Sequence, residues 1–206
     1  MPVIYYTHYI SGQRPPKETT ALEHRLGRQL LNIGLTALYG ITVSPEELSY
    51  EERGKPFLPS RPDIHFNISH CKELVICAFD SAPVGADAET PGYYSDALIR
   101  RTLADSEQRF LEEKAVSDES RREWFYRLWT LKEAYVKRSG IGVDTSLTAF
   151  SFSFSERENP GGYHVTCSDP SVLCFQEKLP SGHIISLCYT GRDKKVLLCP
   201  VLLPEQ

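Results

Sequence analysis

No apolar run in this 206-residue chain approaches the roughly 18 residues that a bilayer-spanning helix needs. The opening stretch, MPVIYYTHYISGQRPP, has no basic segment leading into a long apolar core, so no signal peptide is expected. An excess of charge is missing too: 23 Lys and Arg against 27 Asp and Glu leave a formal net charge of −4. That balance excludes a general nucleic-acid binder and gives no footing to a membrane-surface protein. No CxxC pair occurs, and the six histidines are scattered rather than set at zinc spacing. There is no low-complexity segment and no long linker.

What is present is ordinary for a globular protein: 41% hydrophobic and 24% charged residues, enough chain for one large domain or two small ones with a real core. The even cysteine count (Cys71, Cys77, Cys167, Cys174, Cys188 and Cys199) permits disulfides, but several of the six lie in strand-like runs such as LVICAF and IISLCYTG. Buried free thiols in a reducing cytoplasm are the expectation.

Periodicity then sets out the elements. A first helix is expected after Thr20, paired with Glu23 as a capping box, with Leu22, Leu26, Leu30, Ile33 and Ala37 on one face until Gly40. VSPEELSYEERGKPFLPSRPD reads as a turn-rich loop. HFNISH alternates, ELVICAFD is a continuous central strand, and APVGADAET alternates again. Further helices are expected over Asp96 to Leu103 and Glu107 to Lys114. The longest should run from Ser120, capped with Glu123, to Gly140. Strands follow in LTAFSFSFS, YHVTCSD, VLCFQEK and HIISLCYTG, with a hairpin turn at Gly161 and Gly162. Helix followed by antiparallel strands occurs twice, so the fold class is α+β.

The chemistry-bearing residues are few. Asp87 and Glu89 stand two apart on a strand and share a face, where they repel unless a cation, a proton or an arginine intervenes. An exposed strand face is the simpler reading of such a pair. With Glu133 as a third carboxylate, they form a hard oxygen set suited to Mg²⁺ and phosphate oxygens. Lys132 and Lys137 flank Glu133, as a plain surface ion pair at i,i+4 or as phosphate ligands. Lys132 falls inside the apolar arc of Trp124, Phe125, Leu128, Leu131 and Tyr135. There its ammonium must either snorkel to water or meet a fixed negative partner. GKP at Gly54 to Pro56 is a rigid basic turn. His70 ends a strand, and Glu107 stands where it can complement a helix dipole.

The order of these fragments carries more than any one of them. GKP, FNISH, VGADAE, SEQRF and WTLKEAYVK follow one another as do the motifs of the 4′-phosphopantetheinyl transferases, and the chain resembles the Sfp-like group over about Gly54 to Gly142. The resemblance implies two similar α+β lobes in a pseudo-twofold arrangement, an N-terminal lobe over 1–81 for the nucleotide end of coenzyme A and a C-terminal lobe over 82–206 for metal site and catalytic helix. It implies transfer of the phosphopantetheine arm of coenzyme A to a serine of an apo acyl or peptidyl carrier protein, releasing 3′,5′-ADP. Asp87, Glu89 and Glu133 would hold Mg²⁺ (or Mn²⁺). Glu107, Glu133 and Lys137 would be catalytic, with Glu107 as base. Lys55, Ser69, His70, Lys132 and Lys137 would contact coenzyme A, with Lys55 near adenine and the 3′-phosphate and the Lys132 ammonium reaching into the cleft. Two departures stand out. Arg14 and Lys17 are the only Lys or Arg residues before Arg25, where larger relatives have a longer basic segment, and Ala88 supplies no ligand between the acids.

The expected protein is a cytoplasmic monomer that binds neither nucleic acid nor membrane and docks its carrier over Tyr93 to Glu123, near Arg100, Arg101, Arg121 and Arg122. Two alternatives stand beside it. A non-catalytic homologue holding coenzyme A or carrier would be expected to lose one of Asp87, Glu89, Glu133 or Lys137. A Mg²⁺-dependent phosphodiesterase would want His and Asp clusters that this chain does not offer.

Overall fold

The computed structural model describes residues 1–52, 54–140, 146–157 and 162–203. The expected turn at Gly161 and the far end of the resemblance at Gly142 lie outside them. In chain order the elements are β1 (Val3–His8), α1 (Pro16–Tyr39), β2 (Ser49–Tyr50), β3 (Pro56–Phe57), β4 (His65–Cys71), β5 (Leu74–Asp80), β6 (Val84–Glu89), α2 (Asp96–Thr102), α3 (Asp105–Lys114) and α4 (Asp118–Ser139). The remainder is β7 (Phe152–Glu156), β8 (Tyr163–Cys167), β9 (Leu173–Lys178), β10 (Ile184–Tyr189) and β11 (Leu197–Pro200).

These make four layers, helix, sheet, sheet, helix. The leucine stripe of α1, Leu22, Leu26, Leu30 and Leu35, packs on Phe66, Val75, Cys77 and Phe79 of the first sheet, whose order is β11-β1-β5-β4. The opposite face of that sheet, with Ile4, Leu74, Ile76 and Ala78, meets Val84, Ala86, Ile185 and Leu187 of the second, ordered β6-β10-β9-β8-β7. Helix α4 covers the far side through Trp124, Phe125, Leu128 and Leu131. With both faces covered, every residue of β5 is buried, which is why LVICAFD reads as an unbroken apolar run.

The two halves share a connectivity. In the first, a strand, a helix and two further strands (β1, α1, β4, β5) pair in the order first-third-second, and β6, α4, β9, β10 do the same. The α+β class is as expected. The division at residue 81 is crossed, however: β11 returns to pair parallel with β1, in register Val3 with Leu197, and Val201 and Leu203 pack against the α1 core. An uncovered edge on β1 is thereby closed by the end of the chain.

Both long helices start earlier than the expected capping boxes suggest. Helix α1 follows Pro15. Helix α4 follows Ser117, whose hydroxyl accepts from Ser120 N. Their C-termini are as expected, at Gly40 and Gly140 in left-handed conformation. All six cysteines are unpaired. No helix among the described residues is long and apolar enough to cross a membrane.

Candidate active site

The alternation in FNISH divides β4 between two neighbours. Phe66 and Ile68 face the α1 core, while Asn67 and Ser69 face β6. Asn67 Oδ1 accepts from Ala86 N at 2.7 Å, so a backbone donor on the edge of the second sheet is satisfied from the first. Two residues along, Ser69 Oγ donates to Asp87 Oδ1 at 2.9 Å. Sequence reasoning missed Asn67; its signal was a polar residue in phase with Ser69 on a strand whose other face is apolar.

Strand β6 approaches α4 at a distance only glycine permits. A Cβ on Gly85 would run into Ala134 O and Arg138 N, both backbone atoms. The close approach brings the acids of VGADAE alongside Glu133 and Lys137. Asp87, 4% exposed, receives Lys137 Nζ on Oδ1 at 2.6 Å, and the same ammonium lies 3.1 Å from Ser69 Oγ. The other oxygen, Asp87 Oδ2, is buried with no hydrogen-bond partner.

Electrostatics mark the same group. Burial, and next the charge of Asp87, push the Glu89 carboxyl up to about 7, opposed by Lys137. Glu133 is raised by the same two causes in the same order, again opposed by Lys137. Two half-buried carboxyls raised by burial and by the charge of a buried third are short of positive charge. Among the described residues, no three His, Cys, Asp or Glu side chains stand ready to hold a metal ion, and the cation on Asp87 is the ammonium of Lys137. The donor set nonetheless fits a hard divalent ion, because it is all carboxylate oxygen and Asp87 Oδ2 is a buried, uncommitted ligand atom.

Beside this group a cleft of about 220 Å³ is lined by Gly54, Lys55, Pro56, Asn67, Val136 and Lys137, among others. A larger cavity of about 510 Å³ lies between the 8–15 segment and α1 and contains none of the acids. Chemistry rather than size therefore identifies the site. Lys55, expected at the nucleotide, has its ammonium on backbone: Lys137 O at 2.7 Å, Val84 O at 3.1 Å and Arg138 O at 3.4 Å. His70 stands on the α1 side of β4, opposite to Ser69. Its Nδ1 is 3.2 Å from Glu23 Oε2, and Glu23 Oε1 accepts from Tyr9.

Two of the expected site residues are elsewhere. Lys132 does not reach the cleft: its side chain is wholly buried in the second lobe, with Nζ 2.6 Å from Glu107 Oε2 and 2.7 Å from Leu147 O, also donating to Phe150 O. Glu107 is 1% exposed and accepts from Phe152 N and Ala104 N, both at 2.8 Å, as well as from Lys132. All its contacts are internal and it is closed off from solvent, so as it stands the carboxylate has no route to a substrate hydroxyl. A lysine in an apolar arc needed a fixed negative partner; that partner is the glutamate at the start of α3.

A family profile described as the 4′-phosphopantetheinyl transferase superfamily matches residues 83–188, the span from before the acid strand to the end of β10. The chain is 37% identical over 170 residues to 4′-phosphopantetheinyl transferase Sfp of Bacillus subtilis (strain 168), covering 82% of this chain and 74% of that one. It is 32% identical over 150 residues to another 4′-phosphopantetheinyl transferase of Bacillus subtilis, covering 73% and 65%. Among solved structures, the holo-[acyl-carrier-protein] synthase of Thermotoga maritima superposes with a TM-score of 0.40 at 21% identity, over 54% of this chain and 64% of that one.

Proposed function

The chain belongs to the 4′-phosphopantetheinyl transferase superfamily, and we propose that it moves the phosphopantetheine arm of coenzyme A onto a serine of an acyl or peptidyl carrier protein, in a Mg²⁺-dependent reaction that releases 3′,5′-ADP. The bond formed joins the carrier serine Oγ to the β-phosphorus of coenzyme A. The bond broken joins that phosphorus to the bridging oxygen, which leaves with 3′,5′-ADP. Positioning and charge neutralisation supply nearly all the catalysis that such a phosphoryl transfer requires.

Asp87, Glu89 and Glu133 are the residues that would hold the divalent ion; bound there, Mg²⁺ (or Mn²⁺) supplies charge neutralisation and Lewis acidity at the pyrophosphate. Lys137, within bonding distance of Asp87 and Ser69, would then be free to contact a phosphate oxygen and stabilise charge on the leaving group. Ser69 holds Asp87 in place through its hydroxyl. With Glu107 buried against Lys132 and Glu133 committed to the ion, the serine proton would pass to water in the cleft. His70, exposed at the α1 side and held by Glu23, would address a more distant phosphate of the nucleotide. The coenzyme A cleft lies between the lobes in this proposal.

What supports it most is the three-way contact of Ser69, Asp87 and Lys137, since it joins FNISH of the first lobe to both main motifs of the second. The carrier would dock over Tyr93 to Glu123, where Tyr93 and Val116 are 89% and 88% exposed. Arg100, Arg101 and Arg122 are exposed there, while Arg121 is engaged by Asp96 and Glu112. A cytoplasmic, monomeric enzyme completes the proposal, in keeping with six unpaired cysteines.

The deciding experiment incubates the protein with coenzyme A, Mg²⁺ and each of several apo-carriers, and reads the mass of the carrier. A gain equal to the arm, abolished by chelation and restored by Mg²⁺, is expected. No gain on any carrier, with coenzyme A still bound, would establish the non-catalytic homologue instead.

A further inference from the structure

The GKP turn belongs to a small hairpin, β2 and β3, closed by Glu51 N donating to Lys55 O at 2.9 Å and Gly54 N donating to Glu51 O at 2.8 Å. This hairpin sits on the C-terminal end of α4. The Glu51 carboxylate lies so close to Gly140, the helix cap, that a Cβ there would overlap it.

Every helix ends with carbonyls that lack an intrahelical partner, at the negative end of its dipole. Lys137 O and Arg138 O are two of these, and Lys55 Nζ donates to both. Its third bond goes to Val84 O, the first residue of the acid strand. One ammonium from the first lobe thus ties the start of β6 to the end of α4. Those two elements carry Asp87 and Lys137, and Lys137 is itself one of the residues whose carbonyl is held. For Lys55 to bind a nucleotide phosphate instead, it would have to abandon three carbonyls and leave them unpaired.

We infer that Lys55 is a positioning residue for the transfer reaction: it fixes Lys137 against Asp87 by capping α4 onto β6, and it is not a ligand of the nucleotide. This rests on the transferase function proposed above. It also explains why a Gly-Lys-Pro turn serves here. The glycine, at φ 82°, lets the hairpin turn tightly, the proline restricts the backbone of the lysine before it, and an ammonium offers three donors from one atom to carbonyls that converge from two elements.

The test measures steady-state transfer to an apo-carrier by the full chain and by its Lys55→Met variant, with coenzyme A and with 3′-dephospho-coenzyme A as alternative donors. Misplacing a catalytic group by about 1 Å costs on the order of a hundredfold. The variant should therefore lose roughly that much kcat while KM for coenzyme A and the preference between the two donors stay as in the wild type. If Lys55→Met does not fold, as read by circular dichroism, Lys55→Gln carries the same measurement with two of the three donors kept. An unchanged kcat with a raised KM, or a variant that no longer distinguishes the two donors, overturns the positioning role and makes Lys55 a nucleotide ligand. A wild-type protein that loads no carrier overturns the transferase function, and the positioning role with it.

Discussion

Lys132 Nζ and Glu107 Oε2 meet at 2.6 Å with neither side chain exposed to solvent. Burial pushes the Glu107 carboxyl up and the Lys132 ammonium down, and their mutual contact opposes both shifts. The pair fastens the start of α3, the middle of α4 and the 147–152 segment to one another. Breaking such a pair costs more than never having built it, because the survivor is left charged in an apolar site. Lys132→Met should therefore destabilise the fold by about 3–5 kcal/mol. Adding Glu107→Gln should recover part of that loss, since it removes the unpaired buried charge and its amide oxygen still accepts from Phe152 N. Urea denaturation of the two single variants and the double gives the cycle. A double variant no more stable than Lys132→Met would show that the two residues do not act as a pair.

Gly85 controls the acid site from the strand side. Its missing side chain is what lets β6 lie against the α4 backbone at Ala134 and Arg138. Gly85→Ala forces strand and helix apart, and overpacking of this kind costs about 1–3 kcal/mol. Asp87 and Glu89 would then be displaced from Glu133 and Lys137, so transfer should fall by more than the stability loss explains. Thermal unfolding together with transfer kinetics at a temperature where the variant is fully folded separates the two effects. Wild-type turnover in a folded Gly85→Ala variant would rule out the close approach as a requirement.

Where sequence succeeded and where it did not follows one physical line. Faces were legible: strict alternation put Ser69 in phase with Asn67, and Asp87 in phase with Glu89, and the structure turns Asn67 and Ser69 toward β6. Partners were not, because they arrive from elsewhere in the chain. Glu23 and Glu123 each looked like capping-box acids by spacing alone. Each has a tertiary partner, Tyr9 and His70 for Glu23 and Lys178 for Glu123, which also pairs with Arg127 one turn along its own helix. The helices accordingly begin upstream of the expected caps. Lys132 was legible as a lysine needing a negative partner, but nothing local could name Glu107. The return of β11 to β1 is likewise a long-range pairing that no local pattern announces.

A divalent ion bound as proposed would have to compete with Lys137 for Asp87. The ammonium now bonds Oδ1 at 2.6 Å and lowers the repulsion felt by Glu89 and Glu133. Removing it should make the acid cluster a better cation site and a worse catalyst. For Lys137→Met, Mn²⁺ binding without coenzyme A should tighten by about tenfold or more, given a unit charge at contact distance in a half-buried site. Transfer should fall by about 10²–10³, the usual loss when a donor to developing charge is removed. Asp87→Asn should instead weaken Mn²⁺ binding. Titration followed by electron paramagnetic resonance reads both variants directly. Unchanged affinity in Lys137→Met would mean that the ammonium and the ion do not share Asp87.

Glu123 gives the pH dependence of the second lobe a sign. Burial alone would raise its carboxyl, but the contacts with Lys178 at 2.7 Å and Arg127 at 2.9 Å outweigh that and hold it below the usual glutamate range. A folded-state pKa lower than the unfolded one means that the unfolded chain binds the proton more readily. The contribution to stability is therefore complete above the unfolded glutamate value, near 4.5, and fades as pH falls through the lower, folded value. Because the side chain is partly exposed, solvent screening limits it to about 0.5–1 kcal/mol. Glu123→Gln should cost that much at pH 7 and nothing at a pH where the wild-type carboxyl is itself protonated, so the two urea midpoints should converge on acidification. High salt should shrink the Lys178 part of the difference at pH 7 as well, because that partner reaches water while Arg127 is buried. A gap that persists at low pH would assign the loss to packing of α4 on β9 rather than to charge.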